Sequence, residues 1–295
     1  MKYDGIRAVL GRIRPEVVYV WNAEREKGRV VAQAARDLGI PVLVFEHSPI
    51  PGTLTIDPAG VNARASVPRD PAFFLDWASG RSTDIWRGRA SGLVARKPRS
   101  PVSASPSQLP QNFVFLPLQV ANDTQIVLNG RWVPSVKEML RLAIRQIDRL
   151  PNGWSLVVKE HPSCRIGNAD VLALNRDHPR LVVSESEDTF DLVRRSRGVM
   201  TLNSSVGLQA FFFNKPLLVL GDAFYRQPGL VEVAESEADV GMKFEGAADW
   251  AFNSSLRDAF MTWLCEEYYV PIDDSNPYNI SERAVEMVSR FLPPR

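Results

Sequence analysis

The chain has 295 residues, enough for one large domain or two ordinary ones with a sizeable buried core. Hydrophobic residues make up 45% and charged residues 23%, the balance of a soluble globular protein, and a formal net charge of +1 argues against nucleic acid or an anionic surface as partner. Two cysteines without a CxxC spacing indicate neither a zinc site nor a disulfide framework, and with no signal-peptide pattern and no bilayer-length apolar run they predict a reducing, cytoplasmic setting.

In chain order, residues 4–13 read as a short helix, 17–21 as a strand, 25–38 as a helix with Ala and Val on one face, and 40–45 as an apolar strand. This is a βαβ unit, and it ends in Glu46-His47-Ser48, where ligands bind in open α/β sheets. Residues 48–112 are rich in Pro, Gly, Ser and Arg, so only short helical pieces at 71–79 and 85–90 are expected, and 96–111 reads as a linker. A second alternation follows: strand 112–118, a polar loop, helix 135–149, strand 154–158, helix 169–175, strand 181–183, helix 189–196, strand 198–202, helix 206–213 and strand 217–220. A helix over 281–291 closes the chain. Two Rossmann-like α/β domains facing a cleft, a GT-B-type architecture, are predicted, with residues 1–108 on one side and 109–295 on the other.

Three stretches carry candidate chemistry. In SLVVKEHPSCR an apolar strand ends abruptly in Lys159, Glu160, His161 and Pro162, and in LNSSVGLQAFFFNKP the residues Asn203, Ser204 and Ser205 lie between a strand and a helix. A helix start offers unpaired amides, so Ser204 and Ser205 together with Lys159 and His161 could hold one phosphate; alone, the Ser pair would be an ordinary N-cap. In FLPLQVANDTQI, Gln119 and Asp123 stand four apart past a strand. Either Asp123 is an acceptor or nucleophile with Gln119 donating to a substrate oxygen, or Asn122-Asp123 is an ordinary Asx-turn. The long loop FEHSPIPGTLTIDPAGVNARASVPR puts Glu46 at a strand end and Asp57, Gly60 and Asn62 beyond it; His47 there is as readily structural as chemical. Residues 225–229 either clasp a nucleoside or form a turn. Arg194, Arg195 and Arg197 read as a solvated helix end, and 232–237 as an exposed acidic loop.

Glu46 with PGTLTIDPAGVN, PLQVAND, KEHP and LNSSVGLQAFFFNKP, in that order, resemble the capsule polysaccharide biosynthesis family of Gram-negative bacteria, which includes retaining β-Kdo transferases (Kdo is a keto-deoxy-octulosonic acid). KEHP followed by a Ser-Ser helix start is also similar to the cytidine-monophosphate-binding pair of several bacterial sialyltransferases. The resemblance implies a CMP-activated sugar as substrate, bound mainly by the second half, with no metal and no separate cofactor. It implies transfer to a lipid-linked glycan at the inner face of the inner membrane, beside a capsule assembly and export complex. It makes Asp123 the nucleophile of a double displacement, Gln119 its QxxxD companion, and Glu46 the acid/base or acceptor-orienting residue. The N-terminal domain reads as shortened relative to the family. The alternatives are an idle member that binds within an assembly complex, or a transferase using another nucleotide sugar.

Overall fold

The computed structural model describes residues 2–95, 108–121, 123–164, 167–272 and 282–291. The chain forms two compact units: residues 1–92 with 258–295, and residues 93–257.

In the first unit, helix α1 (Tyr3–Ile13) turns an apolar stripe inward and ends at Arg14, which takes a left-handed conformation before Pro15. Strand β1 (Val18–Trp21), helix α2 (Glu26–Arg36) and strand β2 (Val42–His47) form the expected βαβ unit, with β1 and β2 parallel. Val20, Val42 and Val44 meet Ala32 and Ala35 of α2 on one sheet face. Residues 48–92 are less irregular than their composition predicts. Strand β3 (Thr53–Asp57) pairs antiparallel with β2, so the sheet is mixed. Helix α3 (Pro71–Ala78) starts with Pro71 at its first position and the Asp70 carboxylate accepting from the Ala72 amide, and residues 85–92 form a 3-10 turn. The linker expected at 96–111 lies, over 96–107, outside the described residues.

The second unit runs β4 (Asn112–Pro117), α4 (Thr124–Asn129), α5 (Val136–Arg145), β5 (Trp154–Lys159), α6 (Ala169–Leu174), β6 (Leu181–Val183), α7 (Thr189–Arg195), β7 (Gly198–Thr201), α8 (Ser205–Ala210), β8 (Leu217–Val219), β9 (Glu232–Val233), α9 (Glu237–Glu245) and α10 (Ser254–Trp263). Among the described residues its six strands are parallel and lie in the order β6-β5-β4-β7-β8-β9. Renumbered from β4, that is the 3-2-1-4-5-6 order of the doubly wound nucleotide-binding fold. Helix starts follow local capping chemistry: Ser135 accepts from the Glu138 amide at 3.1 Å, and Ser236 accepts from the Asp239 amide at 3.1 Å. The stretch expected as an exposed acidic loop, 232–237, instead supplies β9 and the start of α9, because the β8 edge offers a ladder to pair with.

From residue 258 the chain belongs to the first unit again. The rest of α10 continues as a π-helical turn (Leu264–Tyr268), strand β10 (Val270–Pro271) pairs antiparallel with β3, and α11 (Glu282–Phe291) lies on that sheet. Met287 of α11 packs with Leu43, Ile56 and Val270. This corrects the division at residue 108: the closing helix, expected in the second domain, covers the sheet of the first, whose inner face would otherwise lack an apolar cover. Among the described residues no helix is long and apolar enough to cross a membrane.

Candidate functional site

In the second unit the chain winds from β4 outward to β5 and β6, then crosses back to β7 and β8, so the sheet order reverses between β4 and β7. Ligands of such sheets bind beyond the strands' carboxyl ends at this reversal. Gln119 leaves β4 there and Asn203 leaves β7. Gln119 Nε2 donates to Asn203 Oδ1 at 3.0 Å, and Asn203 Nδ2 donates to the carbonyls of Gln125 at 2.9 Å and Asn129 at 3.3 Å. Both side chains are buried. They therefore tie the two loops together: the Gln119 amide, expected to reach a substrate oxygen, is directed at Asn203.

Ser204 caps α8, its Oγ accepting from the Val206 amide at 3.3 Å, while its own amide donates to Thr201 Oγ1 at 3.2 Å. Ser205 is exposed at the edge. Behind them Tyr225, 1% exposed, donates its hydroxyl to the Ser204 carbonyl at 2.6 Å, and burial pushes its phenol pKa up. A Cβ on Gly207 would lie 2.4 Å from that hydroxyl, so only glycine lets the ring reach the helix start. Of the two alternatives for residues 225–229, the turn is the observed one, with Tyr225 as an internal brace.

On the other side of β4, the His161 carbonyl accepts from the Cys164 amide at 2.9 Å, closing a turn with Pro162 at its second position. His161 Nδ1 accepts from the Ser163 amide at 3.1 Å, which leaves the proton of the neutral ring on Nε2, a donor suited to an anion. Glu160 accepts from the Asn168 amide at 2.5 Å and so holds the following loop. Lys159 is 8% exposed and donates to the Glu185 carbonyl at 3.0 Å; burial lowers its pKa, opposed by Glu187, Asp188 and Glu185. The structure turns this ammonium toward the loop after β6, away from the expected convergence with Ser204.

Asp123 is the N-cap of α4, accepting from the Gln125 amide at 3.0 Å. Its neighbour in the proposed Asx-turn, Asn122, lies outside the described residues.

In the first unit Glu46 stands at the carboxyl end of β2. Its Oε2 accepts from Asn22 Nδ2 at 2.6 Å and its Oε1 from the His47 amide at 3.2 Å. His47 is exposed, its ring edge-on to Trp21 at 5.0 Å between centroids. Asp57 is fully buried. Oδ1 accepts from the amides of Ala59 at 2.7 Å and Gly60 at 3.1 Å, and Oδ2 from the Ser66 amide, the Ser66 hydroxyl and the Tyr268 hydroxyl, each at 2.7 Å. It organises the loop from within, and is not presented to an acceptor. Asn62, half-buried with φ +53°, begins the next 3-10 turn. Among the described residues no group of three or more His, Cys, Asp or Glu side chains is arranged to hold a metal ion.

The model of the capsule polysaccharide biosynthesis protein family matches residues 16–97 and 89–262. The chain belongs to that family. Protein FixF of Sinorhizobium fredii (strain NBRC 101917 / NGR234) is 31% identical over 86% of this chain and 60% of its own length. The capsule polysaccharide export protein KpsS of Escherichia coli is 25% identical over 66% of this chain and 64% of its own. The chain thus spans less than two thirds of these relatives. Among solved structures, Thermosulfurimonas dismutans KpsC, a β-Kdo 2,7 transferase, superposes with a TM-score of 0.58 at 16% identity, over 94% of this chain and 86% of that one. Its β-Kdo 2,4 transferase structure gives 0.52 at 19%, over 84% and 78%. The fold is the GT-B type with Rossmann-like units, as expected for the family.

Asn22 and Gly207 do not stand out in the sequence as site residues, and Tyr225 stands out only as part of the clasp or turn over residues 225–229. Asn22 does carry a signal, since it is a polar residue placed directly after an apolar strand. The partners of all three come from tertiary packing.

Proposed function

We propose that this chain is a glycosyltransferase that moves Kdo, or a similar acidic sugar, from a CMP-activated donor to a capsule or surface-glycan acceptor. The observation that carries this is the grouping, at the carboxyl edge beside the β4/β7 reversal, of the His161 turn, the Gln119–Asn203 tie and the Ser204-capped helix start. Here the Nε2–H of His161 and the start of α8 at Ser205, behind the Ser204 cap, hold the donor phosphate, charge-assisted bonds of roughly 1.5–3 kcal/mol each. Asp123 attacks the anomeric carbon, the bond to the phosphate oxygen breaks, and CMP leaves with that electron pair, stabilised by the same donors. The acceptor hydroxyl then displaces Asp123 while Glu46 takes its proton, so two inversions give retention. Kdo is the sugar in the names of two proteins that share the fold, and the motif resemblance points the same way. Association with export machinery fits the name of the Escherichia coli relative, while a lipid-linked glycan acceptor at the cytoplasmic face rests on the motif resemblance.

A second reading, a member that binds glycan without transferring it, is favoured by one observation: Asp123 and Gln119 both make hydrogen bonds that serve the framework. The first test is thermal melting with CMP, UMP and AMP, followed by incubation with freshly generated CMP-Kdo and an acceptor. CMP at about a hundredfold over its Kd adds roughly 2.7 kcal/mol, and His161→Ala removes most of that shift. Equal shifts with all three nucleotides overturn the CMP assignment, and a CMP shift without turnover favours the binding role.

A further inference from the structure

Asn22 lies one residue beyond β1 and has φ +42°, in the left-handed region that Asn, Asp and Gly enter most readily. Its backbone amide donates to the Phe45 carbonyl at 2.9 Å, extending the β1–β2 ladder past the end of the strand. Its Oδ1 accepts from the Glu24 amide at 3.2 Å. That bond settles which way the side-chain amide faces: the oxygen is turned to a backbone N–H, so Nδ2 is the atom directed at Glu46 Oε2, 2.6 Å away. The loop has little room to shift. A Cβ on Gly28, in the first turn of α2, would stand 3.2 Å from the Asn22 carbonyl.

Among the described residues, each bond that Glu46 receives comes from an N–H: Asn22 on one oxygen, the His47 amide on the other. Neither donor can take a proton from the carboxyl. We propose that Asn22 is a positioning residue that fixes the Glu46 carboxylate as a proton acceptor for an incoming hydroxyl. This gives a physical ground for the base role of Glu46, and it rests on the proposed function above. The proton moves from the acceptor hydroxyl to a free lone pair of Glu46 as the new glycosidic bond forms, while the Asn22 bond keeps the carboxylate plane in place.

The backbone geometry makes the test clean. Asn22→Gly keeps the left-handed conformation and removes only the side-chain amide; Asn22→Asp keeps the shape but sets carboxylate against carboxylate. In the full chain with CMP-Kdo and acceptor, Asn22→Gly is expected to lower kcat about tenfold to a hundredfold, leaving the donor KM unchanged, and Asn22→Asp to lower it at least as far. In a Glu46→Ala background, Asn22→Gly should cost nothing further. Wild-type kcat in Asn22→Gly, or an equal loss in both backgrounds, overturns the positioning role. Unchanged turnover in Glu46→Ala instead removes Glu46 as the base, and the inference with it. Should the chain transfer no sugar, the side-chain amide proton resonances of Asn22 decide the hydrogen bond alone: a downfield shift lost in Glu46→Ala supports it, and identical resonances in both proteins overturn it.

Discussion

An N-cap and a nucleophile ask different things of Asp123. The cap needs only an oxygen that accepts from the Gln125 amide, and Asn supplies one as well as Asp does. The nucleophile needs the charge. Asp123→Asn should therefore melt within a degree or two of the parent, while Asp123→Ala loses about 1 kcal/mol with its cap. If Asp123 forms the sugar adduct, Asp123→Asn loses turnover by orders of magnitude while CMP still shifts its melting temperature. Near-normal turnover in Asp123→Asn would reduce the residue to its capping role. At this scale the sequence identifies candidates by position, a polar residue where an apolar run stops, but not their partners. Asn22 meets Glu46 across 24 residues, Gln119 meets Asn203 across 84 and Asp57 meets Tyr268 across 211, and no local pattern encodes those meetings. Lys159 shows the same limit. Its neighbours in sequence favour an anion site, whereas its hydrogen bond to Glu185 depends on β6 lying beside β5.

Between elements, the clearest electrostatic link joins α5 to α9. Arg145 grips Glu237 with two bonds of 2.9 Å, and its Nη2 also reaches Glu138 at 3.0 Å, while Gln146 donates to Glu237 at 2.9 Å. The Arg145 bond first, then Gln146, lowers the Glu237 pKa from 4.5 to about 2. A carboxylate whose folded pKa is depressed stabilises the fold above its unfolded pKa and loses that contribution as pH falls toward the folded one. The window here is therefore pH 4.5 down to about 2. Because both side chains are more than one-third exposed, screening keeps the contribution to about 0.5–1 kcal/mol. Arg145→Ala should lower the melting temperature at pH 7 by a few degrees, and the gap from the parent should narrow at pH 3; an equal gap at both would show that α5 and α9 are held by packing alone. Elements of ordinary length, such as α5 with its Ser135-x-x-Glu138 start, are legible from period and caps. Strand β3 is not. Five residues between Pro51-Gly52 and Pro58 carry too little alternation to stand out, and one of its partners, β10, comes more than two hundred residues later.

At the scale of the molecule, the second unit is one uninterrupted stretch with its own core, from Val114 on β4 to Trp250. Residues 93–257 expressed alone should therefore melt cooperatively and bind CMP as the full chain does, with His161→Ala abolishing that binding; a fragment without a melting transition would show that the unit does not stand by itself. The first unit is interrupted. It needs Tyr268 to complete the shell of Asp57, β10 to pair with β3, and α11 to cover Leu43 and Ile56. During synthesis, this division fixes an order of events. The second unit can finish while the ribosome is still working, but the unit that carries Asn22 and Glu46 must wait, half made, until Tyr268, β10 and α11 emerge from the exit tunnel. On the function proposed above, a message cut short after residue 257 would release a chain able to capture nucleotide but lacking a completed first unit, so completing the Glu46 side requires reading the message at least through α11.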